Sequence, residues 1–336
     1  MYLVIQKNVV WMVVGILIIM VSGCDISDPS SEEVNEVLDD SYLSYSDWKP
    51  TSIPQQLIEY SNISEAILAN HKANIFWYNL DPSNVSVSEI FDNESNSTNV
   101  QGLDIVYSPR NRGFYNTNKS YVNSDTSWAG VMTTIKYDDI IGLTEKFNNS
   151  YLTMWVKYQV NNPVNYFLIE IGKISEDVIK NDRFDSEDKN FNDKLDENED
   201  SGIDGFFDND EPIFNKTSNL DPNNDNYSFD DIFYNYQRSN FQENNGMLDS
   251  EDINNNKRLD KANDYFAYEI PIDSSQNNLI SGYGENGWFK FKIPLSEYSY
   301  AVGNPSISEL TTLRFWFNGK TEDIHLKIAE IKFVTE

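Results

Sequence analysis

Two short stretches decide the fold class of this chain: Phe289-Lys290-Phe291-Lys292-Ile293 and Ile324-His325-Leu326-Lys327-Ile328. In both, apolar residues alternate with polar ones. Successive side chains of a β-strand point to opposite faces of its sheet. Each stretch is therefore predicted to be a strand with one buried face and one solvent-exposed face, as in an antiparallel sheet.

Similar aromatic and β-branched runs recur along the chain between turn-forming residues. About nine strands are predicted, near residues 73–79, 103–107, 128–135, 151–158, 165–171, 265–270, 288–293, 310–317 and 324–334. Helix is scarce, and residues 55–70 are its best candidate. Many short strands with few helices predict an all-β fold, an antiparallel β-sandwich of the jelly-roll or galactose-binding-like type.

The charge balance excludes two classes of partner. There are 25 Lys and Arg residues against 54 Asp and Glu residues, which gives a formal net charge of −29. Such a surface repels nucleic acid and anionic lipid, so no nucleic-acid partner is expected. It also repels itself, and bound divalent cations would relieve that repulsion. With 39% hydrophobic and 14% aromatic residues, the chain still has enough apolar side chains for a core.

The N-terminus has the pattern of an export signal. Lys7 precedes an apolar run over residues 9–21, which is too short to favour a stable membrane span. The run ends in Val21-Ser22-Gly23-Cys24, which resembles the lipobox of bacterial lipoproteins. That resemblance implies a signal peptide over 1–23 and a lipid on Cys24, with the chain exported and anchored at the outer membrane or cell surface. The alternative is an uncleaved signal anchor with an incidental cysteine.

Composition divides the rest of the chain. Residues 24–50 are acidic and rich in Ser, which predicts a flexible tether. Residues 51–336 are predicted to form the sandwich domain, interrupted by an acidic insertion over about 180–264, here called the insert. A structureless loop of that length inside a domain is uncommon. Bound metal is therefore the predicted source of its order.

The insert contains two near-copies of one stretch, at 185–200 and 249–264. After a shared Asp-Ser-Glu-Asp, short oxygen-bearing side chains follow at positions 1, 3, 5 and 9, counted from the last Asp. This spacing lets one turn of backbone wrap a hard cation, so two or more Ca²⁺ ions are predicted. The first loop's predicted ligands are Asp188, Asn190, Asn192, the Lys194 carbonyl, Asp196 and Glu199. The second loop's are Asp252, Asn254, Asn256, the Arg258 carbonyl and Asp260, with Asn263 or Asp264 closing the shell.

Both loops depart from the usual calcium-loop pattern at position 6, where Asp193 and Lys257 replace the turn glycine. The second loop also ends in Asn263 rather than a carboxylate at position 12, so it is predicted to bind more weakly. Two further acidic stretches, 204–211 and 221–226, lie between the loops. They either add a metal site or are solvated acidic loops.

No catalytic motif is present in the sequence. The chain has two histidines, His71 and His325, far apart, and lacks the common nucleophile, zinc and phosphate-loop signatures. We therefore expect no enzyme. A glycoside hydrolase using a carboxylate pair remains the second alternative.

Several stretches of sequence, in the same order along the chain, resemble the SprA/Sov family, the outer-membrane translocons of type IX secretion. They are the stretches 76–82, 103–116, 128–132, 171–179, 221–227, 288–295 and 313–317, together with both metal loops. The resemblance covers roughly residues 70–335 and implies a cell-envelope role in secretion, gliding or surface assembly. Members of that family are giant barrels, and this chain lacks the length for one, so pore activity is not carried over.

The sequence therefore predicts a lipid-anchored, calcium-stabilised accessory or interaction module with an envelope protein as partner. The first alternative is a carbohydrate-binding module whose ligand is a glycan. Its candidate platforms are Trp77, Trp128, Trp155, Trp288 and Trp316, each of which lies in a strand pattern and is equally a core residue.

Overall fold

The computed structural model describes residues 41–80, 85–90, 100–159, 166–211, 221–227, 243–271, 278–319 and 322–336. The predicted signal peptide, Cys24 and the tether up to residue 40 lie outside these ranges. None of the helices within them is long and apolar enough to cross a membrane.

Twelve strands in the described residues form two antiparallel sheets of six. The first sheet has the order β1 (Lys49–Pro50), β4 (Trp128–Thr134), β11 (Thr312–Asn318), β6 (Tyr166–Lys173), β7 (Asp264–Pro271) and β10 (Tyr300–Val302). The second has the order β2 (Ala73–Leu80), β3 (Gly102–Arg112), β12 (Ile324–Thr335), β5 (Ser150–Gln159), β9 (Phe289–Pro294) and β8 (Ile280–Tyr283). The predicted all-β sandwich is confirmed.

All nine predicted strands are present, and the three that sequence reasoning missed lie at sheet edges. These are β1, β8 and β10, of two to four residues each. A strand this short has no room for a recognisable alternation. Edge strands are also paired on one side alone, so their sequences are less constrained.

Helices are short and lie outside the sheets. They are α1 (Gln55–Ser61), α2 (Glu65–Ala69), α3 (Val87–Ile90) and α4 (Tyr137–Lys146), with 3₁₀ turns at Tyr45–Asp47, Phe147–Asn149, Glu285–Gly287 and Ile307–Glu309. The helix predicted over 55–70 is divided because Asn62 adopts a left-handed backbone with φ 53°. An Asn in this conformation commonly ends a helix.

The main core lies between the two sheets and is built on aromatic rings. Phe167 and Phe315, on neighbouring strands of the first sheet, lie edge to face with their ring centroids 6.3 Å apart. Tyr107 of the second sheet stacks on Phe317 of the first at 5.5 Å. The Tyr107–Phe317 contact joins the two sheets because it pairs inward-facing side chains of buried strands.

The outer face of the first sheet is also covered. Helices α1 and α2 cover one part, with Leu57 and Leu68 in the same buried cluster as Trp316. The insert covers another, where Ile203 and Ile253 pack with residues of β4 and β7. The first sheet is therefore buried on both faces, and the insert is one of its covering layers.

A buried ion pair lies between β6 and β11 of the first sheet. Glu170 and Arg314 are both fully buried and bonded to each other. Trp316 Nε1 donates to Glu170 Oε1 at 2.9 Å, and Arg314 Nη1 donates to Thr51 Oγ1 at 3.2 Å. These extra donors and acceptors offset part of the desolvation cost of the buried pair.

The tether prediction is wrong for residues 41–50. Tyr42, Leu43 and Trp48 are at most 2% exposed and belong to the main core. Trp48 stacks on Phe315 at 5.1 Å, and its Nε1 donates to the Tyr42 carbonyl at 2.9 Å. These few apolar residues follow an acidic, Ser-rich stretch, so composition alone hid them.

We expect Trp48→Ala to destabilise the domain by about 3–5 kcal/mol, because it empties a packed site in the core. Denaturant unfolding measures this change. The matched control is Tyr60→Ala, whose side chain is 74% exposed and whose loss should have little effect. Equal stability of the two variants would mean that residues 41–50 are a tether after all.

Candidate metal centre

The insert connects β6 to β7, and in the structure it begins at Ile174, which is buried. Its described parts are 174–211, 221–227 and 243–263. Ser186 and Ser250, at the starts of the two predicted loops, form an antiparallel bridge. The Glu187 N–H donates to the Asp249 carbonyl at 3.0 Å, and the Glu251 N–H donates to the Asp185 carbonyl at 3.1 Å. The two copies therefore lie side by side as a pair.

The first loop folds around its leading carboxylate. Asp188 Oδ1 accepts the Asn192 N–H at 2.9 Å, and Oδ2 accepts the Asp193 N–H at 2.8 Å. The side-chain amides of Asn190 and Asn192 both donate to Asp196 Oδ2, at 2.8 and 2.6 Å. The side chains at positions 3, 5 and 9 thus meet within a single turn of backbone, and the side chain at position 1 holds the backbone of positions 5 and 6. Coordination of a cation by these residues stays a prediction.

The second loop repeats this geometry. Asp252 Oδ1 accepts the Asn256 N–H at 3.0 Å, and its other oxygen accepts the Lys257 N–H at 2.5 Å. Asn254 and Asn256 donate to Asp260 Oδ2 at 2.9 and 2.7 Å. Two copies with the same four positions in the same contacts are the strongest structural argument for a shared ligand chemistry.

At the sixth position, both loops have a residue other than glycine in the left-handed backbone conformation. Asp193 and Lys257 each have φ 60°, in the left-handed region. A side chain is disfavoured there. In this structure the strained residue donates its N–H to the leading Asp of its own loop. That hydrogen bond offsets part of the strain.

The seventh position matches in both loops as well. Lys194 and Arg258 donate their backbone N–H groups to Asn192 Oδ1 and Asn256 Oδ1, each at 2.8 Å. These bonds fix the backbone immediately before the Lys194 and Arg258 carbonyls, which the sequence predicts to be ligands. Coordination by the Lys194 and Arg258 carbonyls stays a prediction.

A buried glutamate ties together the ends of the first loop. Glu199 is 5% exposed. Its Oε1 accepts the Lys189 N–H at 3.1 Å, and its Oε2 accepts the Asp196 N–H at 2.9 Å. The residue predicted to close the metal shell is therefore placed at the loop, with its carboxylate clamping positions 2 and 9.

The corresponding clamp of the second loop is Glu176, which sequence reasoning missed. Its Oε1 accepts the Ile253 N–H at 3.1 Å, and its Oε2 accepts the Asp260 N–H at 3.0 Å. These are again positions 2 and 9. Glu176 is fully buried.

The predicted closing residues of the second loop, Asn263 and Asp264, are bonded elsewhere. Asn263 Oδ1 accepts the Ser175 N–H at 3.1 Å, and Asp264 Oδ1 accepts the Asn304 N–H at 2.7 Å. Asp264 already belongs to β7. The chain turns into the sheet here, so the clamp must come from a distant residue.

A tripeptide repeat in the sequence points to Glu176. Ser-Glu-Asp occurs at 175–177, 186–188 and 250–252. In all three, the Ser Oγ accepts the N–H of the Asp two residues later, at 3.1 to 3.3 Å. In all three, the Glu accepts backbone N–H groups of the insert, with Glu187 holding Asp249 and Glu251 holding Ile179 and Asp185.

Residues 177–185 form a third, altered copy of the loop. Asp177 Oδ1 accepts the Asn181 N–H at 3.0 Å, and Asn181 donates to Asp185 Oδ2 at 2.6 Å. Position 3 is Ile179, which offers no side-chain oxygen. The Lys180 ammonium instead lies 3.0 Å from Asp177 Oδ2. In this copy, the positive charge beside the leading Asp is therefore supplied by the Lys180 side chain.

Burial raises the pKa of three glutamates that hold backbone N–H groups of the insert. It raises the pKa of Glu176 to about 7 and the pKa of Glu251 to about 8. It also raises the pKa of Glu187 to about 8, and the nearby Asp249 carboxylate adds to this effect. A buried carboxylate among other acids favours either a proton or a cation beside it.

The turn after β3 anchors the insert to the sandwich. Arg112 donates to the carbonyls of Pro222 at 2.7 Å and Asp221 at 3.1 Å. Tyr115 Oη accepts the Ile203 N–H at 3.0 Å. The stretch 103–116, which carries part of the SprA/Sov resemblance, therefore contacts the insert.

The residues considered for other functions are spread over the fold. His71 Nδ1 lies 2.7 Å from Thr126 Oγ1, whereas His325 lies on β12, 3.5 Å from Asp104. The five tryptophans considered as sugar platforms are at most 4% exposed, and all are packed in the interior: Trp77, Trp128, Trp155, Trp288 and Trp316. None of them offers a ring to a surface ligand.

No known family matches the sequence, and no curated protein does. Among solved structures, the chain is similar to a family 11 carbohydrate-binding module of a cellulosomal cellulase of Clostridium thermocellum, at 8% identity and a TM-score of 0.31, over 86% of this chain and 88% of that one. It is also similar to a family 30 module of another cellulosomal cellulase of that organism, at 11% identity and a TM-score of 0.28, over 74% and 80%. Similarity this low carries no inference about ligands.

When a chelator has removed metal ions, we expect the free energy of unfolding of the insert to fall as the pH rises. The folded pKa values of Glu176, Glu187 and Glu251, about 7 to 8, exceed the ordinary value of 4.5. Their stabilising contribution is therefore full below about pH 4.5 and is lost as the pH rises through about 7 to 8. Thermal unfolding in a chelator from about pH 6 to about pH 8.5 tests this.

With Ca²⁺ present, the melting temperature should instead rise with pH over the same range. Calcium competes with protons for the carboxylates and therefore binds better at higher pH. Chelator and calcium curves that stay parallel across this range would contradict the prediction.

Proposed function

We propose that this chain is a non-catalytic β-sandwich module of the bacterial cell envelope whose insert is held in shape by bound Ca²⁺. The observation that carries the proposal is the duplicated loop. In both copies two Asn side chains donate to one oxygen of the second Asp, and the leading Asp accepts the backbone N–H groups of positions 5 and 6. Oxygen ligands in this number and spacing suit calcium better than magnesium, which tolerates fewer protein ligands and a stricter geometry.

The exposure of the loops supports exchange with the solvent. Asp188 and Asp252 are buried at the base of each loop. The side chains at positions 3, 5 and 9 are exposed. An ion can therefore reach each loop from outside without unfolding of the sandwich.

The surrounding charge supports the same proposal. The loops, their clamps and the acids between them lie in a chain of net charge −29. Divalent cations reduce the mutual repulsion of these acids, and their binding energy adds to the stability of the folded insert. A structural role fits this arrangement, since the loops pack on the sheet and on each other.

The envelope location rests on the sequence pattern around Cys24 and on the SprA/Sov resemblance. An accessory role with an envelope protein as partner follows from that resemblance. Arg112 and Tyr115 are occupied by the insert, so a partner surface is expected elsewhere. Crosslinking in intact envelopes followed by mass spectrometry would identify the partner, and labelling of Cys24 with a lipid precursor would test the anchor.

Removal of Ca²⁺ should lower the melting temperature and open residues 174–263 to proteases, while the buried sheets resist cleavage. Asp188→Ala should reduce calcium affinity most, because it removes the central acceptor of the first loop. Glu176→Gln should weaken the second loop by about 10- to 100-fold, as loss of a residue that orients ligands does.

The control is Asn263→Ala, which should leave calcium affinity unchanged, since Asn263 bonds outside the loop. Isothermal titration with CaCl₂ measures all three variants. Equal proteolysis of the wild-type insert in calcium and in chelator would contradict the proposal.

Glycan binding is the second candidate function, and one surface feature favours it. Tyr158 and Tyr283 both contact Phe289, each at a centroid distance of 5.7 Å. Tyr283 is 69% exposed. This aromatic patch lies on β5, β8 and β9, at one edge of the second sheet. Aromatic rings at a surface provide the apolar faces on which sugars stack.

If the aromatic patch binds a glycan, Tyr283→Ala should abolish retention on that polysaccharide and leave the melting temperature unchanged. A glycan array and polysaccharide pull-down measure this. The matched control is Tyr137→Ala, which removes a tyrosine that is 75% exposed on α4. Binding that neither substitution alters, or no binding at all, would remove glycans as the ligand of this patch.

A further inference from the structure

A second group of acids in the insert lies outside the two loops. One carboxylate oxygen from each of Asp208, Glu211 and Glu243 lies within 4.8 Å of the other two. Glu211 and Glu243 are each 4% exposed. The three residues come from two distant parts of the insert, so the folded chain brings them together.

Asp225 is the most unusual acid of this region. Its side chain is fully buried, and neither carboxylate oxygen has a hydrogen-bond partner in the described part of the chain. Its Oδ2 lies against Gly202, where a Cβ would be 2.5 Å away, and Gly202 has φ +68°. Glycine is therefore required at 202 both for its backbone and for the space that the Asp225 carboxylate takes.

Glu211 shares this feature. Its Oε2 accepts the Asn223 N–H at 3.0 Å, whereas its Oε1 is buried without a partner among the described residues. A buried, unpaired carboxylate oxygen is costly unless a cation or a proton satisfies it. The backbone places Asp225 beside this group, since the Glu243 N–H donates to the Asp225 carbonyl at 2.8 Å. The Glu211 carboxylate also adds to the rise in the pKa of Asp225.

The other charges facing this group are mainly negative. Asp204, Asp221 and Glu243 also act on Asp225. Arg112 lies beside the group, but its guanidinium donates to the Asp221 and Pro222 carbonyls. Burial and these acids raise the pKa of Asp225 to about 9 and of Glu211 to about 8. The region has more buried negative charge than its own side chains neutralise.

We propose that Asp208, Glu211, Asp225 and Glu243 form a further calcium site, separate from the two loops. Four carboxylates from three segments offer hard oxygen ligands, which suit Ca²⁺ and not a metal that prefers nitrogen or sulfur. The site joins residues 200–211 to 221–227 and 243, so its ion links segments that the paired loops do not hold. It adds a site to the calcium-loaded module proposed above.

The test compares calcium stoichiometry by isothermal titration in the wild type and two double variants. Asp225→Asn with Glu211→Gln should bind one ion fewer than the wild type. Asp188→Ala with Asp252→Ala should lose the loop ions and keep this one. Asp210→Asn, which changes an exposed acid in the same segment, should bind as the wild type does.

Stability in chelator provides the second measurement. Asp225→Asn with Glu211→Gln keeps the side-chain volume and removes two buried charges, so its melting temperature in chelator should be at or above that of the wild type. Its gain on adding CaCl₂ should be smaller. This readout separates loss of a site from loss of the fold.

The outcomes distinguish the two proposals. If the Asp225→Asn and Glu211→Gln variant binds as many ions as the wild type, the further site is wrong and the loop sites stand. If the Asp188→Ala and Asp252→Ala variant keeps all its calcium while the other loses it, the loops are wrong and this site stands. No calcium binding by the wild type would overturn both.

Discussion

The constraint on which this structure depends is the burial of carboxylates inside an acidic insert. Glu176, Glu199 and Glu251 each use both oxygens to hold two backbone N–H groups. These bonds replace the strand pairing that orders the rest of the chain. A charged acceptor forms a stronger hydrogen bond than a neutral one, but it must be taken out of water to do so. The acids that shape the insert are thus also its main electrostatic cost.

The same constraint connects the insert to the sandwich. The insert covers part of the outer face of the first sheet, where Ile203 and Ile253 pack with residues of β4 and β7. Apolar contacts hold one side of this layer and carboxylates organise the other. Calcium bound by these carboxylates would reduce their mutual repulsion and so stabilise the insert in this highly charged chain.

Long alternating strands could be predicted from the sequence, because burial of one sheet face fixes their period. Short edge strands could not, since two to four residues show no period. Tyr42, Leu43 and Trp48 were assigned to a tether because local composition outweighed three apolar side chains. In the insert, the contacts among positions 3, 5 and 9 of each loop follow a local spacing and were predictable, whereas coordination of a metal by them stays a prediction. The Glu176 clamp is set by tertiary contact across 77 residues, and the Ser-Glu-Asp repeat alone hints at it.

The crossed clamps have a consequence for how the chain assembles. Glu187 holds Asp249 across 62 residues, while Glu251 reaches back across 72 residues to Ile179. Neither half of the insert can complete its hydrogen bonds before the other has been synthesised. Contacts between residues so far apart in sequence form only after the entropy of a long loop has been lost, and this slows folding. Glu187 and the Ile179 N–H of the first half therefore lack these partners until residues 249–251 have been synthesised.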